Sequence, residues 1–153
     1  MTLSIFHGFN INASALTAQR LRMDVTSANI ANAHTTRATI NEDGTVEPYR
    51  RRMVVLQSNG NDFKNYLQRA RFGTQQGNNG VRATRIIEDQ EPFKPVYDPA
   101  HPDADETGYV YYPNVDPLKE MVDMVSATRS YEANVTALNA SKDMLLKALE
   151  IGR

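Results

Sequence analysis

Residues 118–150, "LKEMVDMVSATRSYEANVTALNASKDMLLKALE", contain neither glycine nor proline, the two residues that most disfavour a helix interior. Their apolar side chains recur in alternating steps of three and four, which is the spacing of a coiled-coil seam. The seam runs through Met121, Met124, Thr128, Tyr131, Val135, Leu138, Lys142, Leu145 and Leu149. The pattern therefore predicts a long C-terminal helix over roughly residues 115–150, whose seam, interrupted twice by polar residues, packs against another helix.

A second helix is predicted at the other end of the chain, over residues 4–33. All seven prolines lie between Pro48 and Pro117, and no glycine occurs between Gly8 and Gly44. One face of this helix carries an apolar residue every seven positions, namely Phe9, Leu16, Met23 and Ile30. At 1.5 Å per residue both helices exceed the roughly 30 Å diameter of a small domain. We therefore expect them to pair with each other and with other chains.

The centre of the chain is rich in turn-forming residues. Strands are predicted at 47–58 and 80–89, which carry β-branched or aromatic residues. Residues 59–80 are rich in Asn, Gln and Gly and are predicted to form a mobile loop. Residues 91–108 contain four prolines and are predicted to be an ordered linker without a central strand. The predicted fold class is mainly α with a small β-rich part.

Composition excludes several classes of protein. The 17 basic and 18 acidic residues nearly balance, and no third of the chain is strongly one-signed, so no nucleic-acid partner is expected. The absence of cysteine rules out disulfides and thiolate metal sites. No apolar stretch approaches the about 20 residues of a membrane span, and the first residues lack the basic segment of a secretion signal. No membrane span and no classical signal peptide are predicted.

No catalytic or metal motif is visible. His7, His34 and His101 lie far apart, and no nucleophile elbow, zinc-binding helix or glycine-rich phosphate loop occurs. We therefore expect no enzyme activity and no cofactor. Asp103 and Asp105 fit the first positions of a calcium-binding loop, but Asn114 stands where that loop needs a bidentate glutamate. The stretch is predicted to be a turn whose carboxylates cap backbone amides.

The only basic run is Arg50, Arg51 and Arg52. Side chains of a strand alternate between its two faces, which would divide the three guanidinium groups between opposite sides. The run is therefore predicted to lie on a solvated strand edge.

Asn29 and Asn32 lie three residues apart among alanines, in "SANIANAHTTR", residues 27–37. The alanines keep the helix surface thin, so that another backbone can approach it closely. An amide offers that backbone both donors and acceptors. Helix termination explains one of the two asparagines, because this residue tolerates the backbone of a helix end. The pair predicts close, directional contact with a neighbour.

This stretch resembles the "ANxAN" signature near the N-terminus of the bacterial flagellar axial proteins, the family of rod, hook and hook-associated subunits. "EPYRRRMVV", residues 47–55, and the whole stretch from Val96 to Arg153 are similar to the proximal rod members of that family. Many family members continue the signature with Asn-Thr-Pro-Gly-Tyr, where this chain has His34 to Arg37. Proximal rod subunits commonly depart from the pattern at this point.

The resemblance implies a structural subunit of the flagellar basal-body proximal rod, without catalytic activity. It implies that residues 1–36 and 113–153 form a coiled-coil inner layer of a helical tube, the drive shaft that transmits motor torque, with the β-rich residues 37–112 outside. The implied partners are other proximal and distal rod subunits, the basal-body base (the MS ring with its adaptor subunit), and the flagellar type III export apparatus. The implied location is the periplasmic rod, reached without a cleaved signal peptide.

The apolar faces and the asparagine pair together form the predicted assembly interface. Its members are Phe9, Leu16, Met23, Asn29, Ile30, Asn32, Met121, Met124, Tyr131, Val135, Leu138, Leu145 and Leu149. On this hypothesis the helices become ordered when subunits associate, because burial of their apolar faces offsets the entropy cost of ordering. The alternative is a self-contained helical-hairpin adaptor or chaperone, in which the two helices pack only against their own chain.

Overall fold

The computed structural model describes residues 2–40, 46–59, 67, 70–71 and 80–151. Long helices stand at both ends of the chain and short strands lie between them in sequence, which confirms the predicted mainly α fold class with a small β-rich part. In chain order the elements are α1 (Thr2–Ala31), β1 (Thr39–Ile40), β2 (Val46–Glu47), β3 (Arg52–Ser58), β4 (Val81–Glu88), β5 (Lys94–Tyr97), β6 (Tyr109–Tyr112) and α2 (Pro117–Ile151). The interior of the predicted mobile loop, apart from residues 67, 70 and 71, lies outside the described residues.

The helix ends follow from local side-chain chemistry. Asn32 ends α1: its Nδ2 donates to the Ala28 carbonyl oxygen at 2.9 Å, and its Oδ1 accepts from the Thr35 hydroxyl at 3.1 Å. At the start of α2, Pro117 occupies the first helical position, where a missing N–H costs nothing. Asp116 caps that helix, because its Oδ1 accepts from the backbone N–H of Leu118 at 3.0 Å.

The strands form three separate two-stranded sheets, β1 with β2, β3 with β4, and β5 with β6. In the last sheet, antiparallel pairing places Lys94 opposite Tyr112 and Tyr97 opposite Tyr109. The predicted strands at 47–58 and 80–89 correspond to β3 and β4. The predicted linker 91–108 contains β5, whose single hydrogen-bonded neighbour leaves room for a proline in the strand.

The chain divides into two compact units. The first unit comprises residues 1–21, 55–85 and 126–153, and the second comprises 22–54 and 86–125. Among the described residues of the first unit, only Ala18 and Ala127 are buried. The second unit buries larger groups, including the fully enclosed side chains of Val110, Pro113, Asn29 and Glu120. Among the residues whose burial is described, most of the buried ones therefore belong to the second unit.

Candidate functional site

Asn29 lies at the centre of the second unit and is only 1% exposed. Its Nδ2 donates to the Arg52 carbonyl oxygen at 2.8 Å and to Glu120 Oε2 at 2.9 Å. Its Oδ1 accepts from the Tyr49 hydroxyl at 3.0 Å and from the Arg52 backbone N–H at 2.9 Å. All four hydrogen-bonding positions of the amide are thus occupied within the chain. The contact of Asn29 with a neighbouring subunit stays a prediction.

Arg51 completes this arrangement from the start of the β3 region. Its Nε donates to Glu120 Oε1 at 2.6 Å, and its Nη1 donates to Asp89 Oδ2 at 3.3 Å. Burial lowers the pKa of Arg51, but the bonds to Glu120 and Asp89 outweigh that effect and leave the pKa above its ordinary value. Asp123 Oδ2 lies 3.7 Å from Arg51 Nη2. The guanidinium is therefore a largely buried, charged group with three carboxylate partners.

The prediction of a solvated strand edge for the arginine run is wrong at Arg51. Only 12% of its side chain is exposed, whereas 53% of the Arg52 side chain is. Arg50 lies over the ring of Phe93, with 4.4 Å from its guanidinium carbon to the ring centroid. The three arginines therefore occupy three different environments. The deciding factor is the position of Glu120, which is 69 residues from Arg51 in the chain.

Asn114 extends the arrangement to the backbone. Its Oδ1 accepts from the Arg51 N–H at 2.9 Å, and its Nδ2 donates to the Glu91 carbonyl oxygen at 3.2 Å. We call the set Asn29, Tyr49, Arg51, Asp89, Asn114 and Glu120 the polar cluster. Burial is also the main reason that the pKa of Tyr49 is raised. The polar cluster connects four parts of the chain to one another. These are the end of α1, the residues just before β3, the residue just after β4, and the first turn of α2.

The aspartate-rich stretch has the capped turn that the sequence predicts. Asp105 Oδ1 accepts from the backbone N–H groups of Thr107 and Tyr109 at 2.9 Å each, and from the Thr107 hydroxyl at 2.6 Å. The Thr107 hydroxyl is the largest cause of the lowered pKa of Asp105. Gly108 has a φ of 82°, a left-handed conformation that favours glycine.

A second carboxylate of this stretch ties it to the residues after α1. Asp103 accepts hydrogen bonds from Arg37 and from the Thr36 hydroxyl, the latter at 2.7 Å. The Arg37 bond, followed by the Thr36 bond, lowers the pKa of Asp103. Thr36 and Arg37 therefore have a structural role at the position where many flagellar axial proteins carry a different sequence.

The described residues contain no group of three or more His, Asp or Glu side chains arranged to bind a metal ion. Within the same ranges, no helix is both long and apolar enough to cross a membrane. The polar cluster pairs its arginine with carboxylates. What this arrangement can do chemically is to hold four segments of chain in a fixed geometry.

The predicted interface residues fall into three groups by exposure. Asn29 is buried, as described above. The half-buried group comprises Phe9, Leu16, Met23, Ile30, Asn32, Met124, Tyr131, Val135, Leu138 and Leu145. Met121 and Leu149 are exposed, at 47% and 71%. Contact of these residues with other chains stays a prediction.

The first half of α2 carries an apolar surface that the single chain leaves in water. Leu118, Val122 and Val125 are 71%, 70% and 60% exposed. Steps of four and three place these side chains on one face of the helix, and Met121 lies beside them. We call these four residues the apolar stripe. Contiguous exposed apolar groups of this kind mark sites of protein–protein contact.

Sequence reasoning missed five members of the polar cluster: Tyr49, Arg51, Asp89, Asn114 and Glu120. Asn114 was considered only as a failed calcium ligand. Glu120 had one usable signal, because it is a carboxylate within the first turn of a long apolar-patterned helix. That signal predicts a favourable interaction with the helix dipole, not a buried ion pair. No local pattern identifies the other members.

Two family models match the chain: "Flagella basal body rod protein" over residues 9–39, and "Flagellar basal body rod FlgEFG protein C-terminal" over residues 106–151. The chain is 58% identical to the flagellar basal-body rod protein FlgC of Bacillus subtilis over 151 residues, which cover 99% of this chain and 100% of that protein. It is 44% identical to FlgC of Borreliella burgdorferi, with 97% and 98% covered. It is 43% identical to FlgC of Escherichia coli O157:H7, with 99% and 100% covered.

Proposed function

The chain belongs to the FlgC family of flagellar basal-body rod proteins, and from this premise we propose that it polymerises through its two terminal helices. It is a structural subunit of the rod in the flagellar basal body and serves motility. In this proposal residues 1–36 and 113–153 form the inner layer of the helical shaft that transmits torque. Residues 37–112 lie outside that layer.

The apolar stripe is the observation that carries the proposal. Its side chains are more than 45% exposed in the single chain, and they lie on the helix that the sequence predicts to be an interface. Covering one such side chain is worth roughly 1.5 to 3 kcal/mol. A neighbouring helix laid along the stripe would gain that free energy several times over, which supports assembly through α2.

The half-buried residues of the predicted interface supply further contact area. Leu138 and Leu145 on α2, and Leu16 and Met23 on α1, belong to this group. A helix that packs against its own chain on one side and a neighbouring subunit on another uses both of its apolar faces. Contacts between two different faces of successive subunits build an open helical array when the rotation does not close.

The proposed partners follow from rod membership. They are the neighbouring proximal and distal rod subunits, the MS ring of the basal-body base with its adaptor subunit, and the flagellar type III export apparatus. The proposed location is the periplasmic part of the rod, reached by that export route without a cleaved signal peptide. The proposed subunit has no catalytic activity and no cofactor.

Val122→Asp tests the proposal. This side chain is 70% exposed in the single chain, so an aspartate there leaves the isolated subunit folded. In the rod, the same carboxylate would be buried without a partner, which is strongly unfavourable. We expect a normal circular dichroism spectrum for the purified chain. In cells in which this variant replaces the native subunit, we expect no basal-body rods and no swimming.

Val122→Thr is the matched control. It keeps the size and shape of the side chain at the same exposed position and introduces no charge. We expect this variant to assemble and to support swimming. Rods containing Val122→Asp at native levels would disprove assembly through the apolar stripe.

The alternative of a helical-hairpin adaptor or chaperone is not favoured. The three relatives named above are rod proteins, and they match this chain over nearly its full length.

A further inference from the structure

The fold sorts charges that are mixed along the sequence. The segments of the first unit contain ten Lys and Arg against four Asp and Glu, a formal charge of +6. Those of the second unit contain seven against fourteen, a formal charge of −7. Contiguous thirds of the chain do not reveal this separation, because each unit is built from distant segments. The two units of one chain therefore differ in formal charge, so a basic unit of one copy and an acidic unit of another attract each other.

The second unit presents an exposed sheet face. Pairing of β5 with β6 places Pro95, Tyr97, Tyr109 and Tyr111 on one side, and all four are exposed. Tyr97 is 65% exposed, and its ring meets that of Tyr109 edge-on, with centroids 5.3 Å apart. We call these four residues the tyrosine face. Rigid aromatic side chains of this kind are enriched at protein interfaces.

Carboxylates border the tyrosine face at the turn that joins its two strands. Asp98 directly follows β5, and Asp105 and Glu106 shortly precede β6; in the described residues none of the three has an ion-pair partner. No Lys or Arg occurs between residues 98 and 108. A partner that covers the tyrosine face would therefore place its own residues beside unneutralised negative charge.

The first unit presents matching cations on β4. Arg82 and Arg85 are both exposed, on opposite faces of the strand, and Arg82 shares its face with Thr84. Within the described ranges neither arginine has an ion-pair partner. Guanidinium groups stack on aromatic rings and bind carboxylates with two hydrogen bonds. This chain already uses that stacking internally, where Arg50 lies 4.4 Å above the Phe93 ring and Arg52 lies 5.6 Å from the Tyr49 ring.

We propose that the tyrosine face of one subunit binds strand β4 of a second copy of the same chain, with Arg82 of that copy placed on its tyrosines and carboxylates. The contact joins two different surfaces, so it leaves a β4 and a tyrosine face open at the two ends. Repetition extends it in one direction. The inference rests on the proposed function, because it describes a contact within the polymer that this function requires.

Disulfide trapping tests the contact, since the natural chain contains no cysteine. Thr84→Cys lies on β4 between the two arginines, and Ala100→Cys lies beside the carboxylates; both positions are exposed. The two single variants are produced together in cells that lack the native subunit. Their isolated basal bodies are oxidised and separated without reductant. We expect a dimer of this chain when both variants are present and none with either variant alone.

Thr136→Cys with Ala100→Cys is the matched control, because Thr136 is exposed on α2. We expect no dimer from this pair. In the trapping pair, adding Arg82→Glu to the β4 variant should lower the dimer yield about two- to fivefold, the range of one exposed ion pair. Adding Glu106→Arg to the other variant should restore the yield.

Three results would overturn the inference: no dimer from the trapping pair in assembled basal bodies, equal yields from the control pair, or cross-links only to a different rod protein. Each of these is obtained from basal bodies that have formed. The proposed assembly through the helices would therefore stand, since its own test is the loss of rods in Val122→Asp.

Discussion

The two units of this subunit differ in what they bury. In the second unit, the buried residues include Asn29, Glu120 and Asn114, each with named partners in the same chain. In the first unit, the described buried residues are two alanines, although the unit contains the greater part of both long helices. The second unit buries its side chains against its own chain. We expect the first unit to bury its apolar side chains against neighbouring subunits.

The same difference suggests an order of events in assembly. A unit fixed by buried hydrogen bonds and ion pairs stays folded when the subunit is alone. Helix segments that bury little apolar area lack the free energy that offsets ordering, so they open first. We therefore expect amide hydrogen exchange to be slower in residues 22–54 and 86–125 than in the remaining parts of both helices. The three predictions below test this division, starting with the largest expected effect.

Arg51→Met should destabilise the second unit most. It removes the charged partner of Glu120, whose carboxylate is 1% exposed, and breaking a buried pair from one side costs about 3–5 kcal/mol. The measurement is the free energy of unfolding of the full chain in urea, followed by exchange in residues 22–54 and 86–125. We expect faster exchange throughout those segments.

Arg52→Met is the matched control at the next position. Arg52 is 53% exposed and lies 3.8 Å from Glu88, so losing this ion pair costs less than about 1 kcal/mol. If the two substitutions lowered the free energy of unfolding equally, the polar cluster would not be what distinguishes the second unit.

Gly80→Ala should have an intermediate effect, in the first unit. A Cβ at residue 80 would lie 2.0 Å from Ser14 Oγ, which accepts from the Val81 N–H at 3.1 Å and thereby attaches the start of β4 to α1. Overpacking of this kind costs about 1–3 kcal/mol. The measurement is the urea midpoint, with Ser14→Ala added to relieve the clash and recover part of the loss.

Gly8→Ala, on α1, should have the opposite effect on stability. No atom lies within 4 Å of the added Cβ, and alanine favours a helix interior over glycine by up to about 1 kcal/mol. We expect a small gain in stability. If Gly80→Ala were as stable as the native chain, β4 would not be held against α1 in the free subunit. The first unit would then differ even more from the second, whose segments are held by buried contacts.

Asp103→Asn should have the smallest effect, and the effect should depend on pH. Hydrogen bonds from Arg37 and Thr36 lower the pKa of Asp103 in the folded chain. A lowered pKa stabilises the fold at pH values above the usual aspartate value of about 3.9, and that stabilisation is lost as the pH falls through the folded-state pKa. The native chain should therefore be more stable than the variant at pH 7, and the difference should shrink in acid.

Unfolding of both chains in urea over a series of pH values measures this difference. If the two free energies of unfolding still differed by the same amount below the folded-state pKa of Asp103, the turn would require the shape of the aspartate side chain and not its charge. Because Arg37 is largely exposed, the comparison with Arg51→Met also tests whether burial separates strong from weak arginine pairs in one unit.

The helices and strands could be predicted because their signals are local. Prolines confined to Pro48–Pro117 and apolar steps of three and four define α1 and α2 without reference to the rest of the chain. The prolines of 91–108 predict a linker where the structure has β5, because the pairing of β5 with β6 depends on a partner more than ten residues away. Local patterns predict elements well and pairings poorly.

The polar cluster could not be predicted, since its contacts join distant segments. Three adjacent arginines look alike in sequence, and only the approach of Glu120 selects Arg51 for burial. Asn29 and Asn32 show the same limit of prediction from local sequence. Asn32 ends the helix through neighbours within four residues, as local reasoning allows, whereas Asn29 has partners between 20 and 91 residues away.

The meeting of Asn59 and Gly80 has a practical consequence. The N–H of Asn59 donates to the Gly80 carbonyl oxygen at 2.7 Å, so the chain leaves the β3–β4 pair and returns to it at one point. When the two ends of a segment are held together, each doubling of its length costs only about 0.6 kcal/mol. An epitope or a fluorescent label inserted between these residues would leave both strands in register, and it would allow the subunit to be followed in growing flagella of living cells.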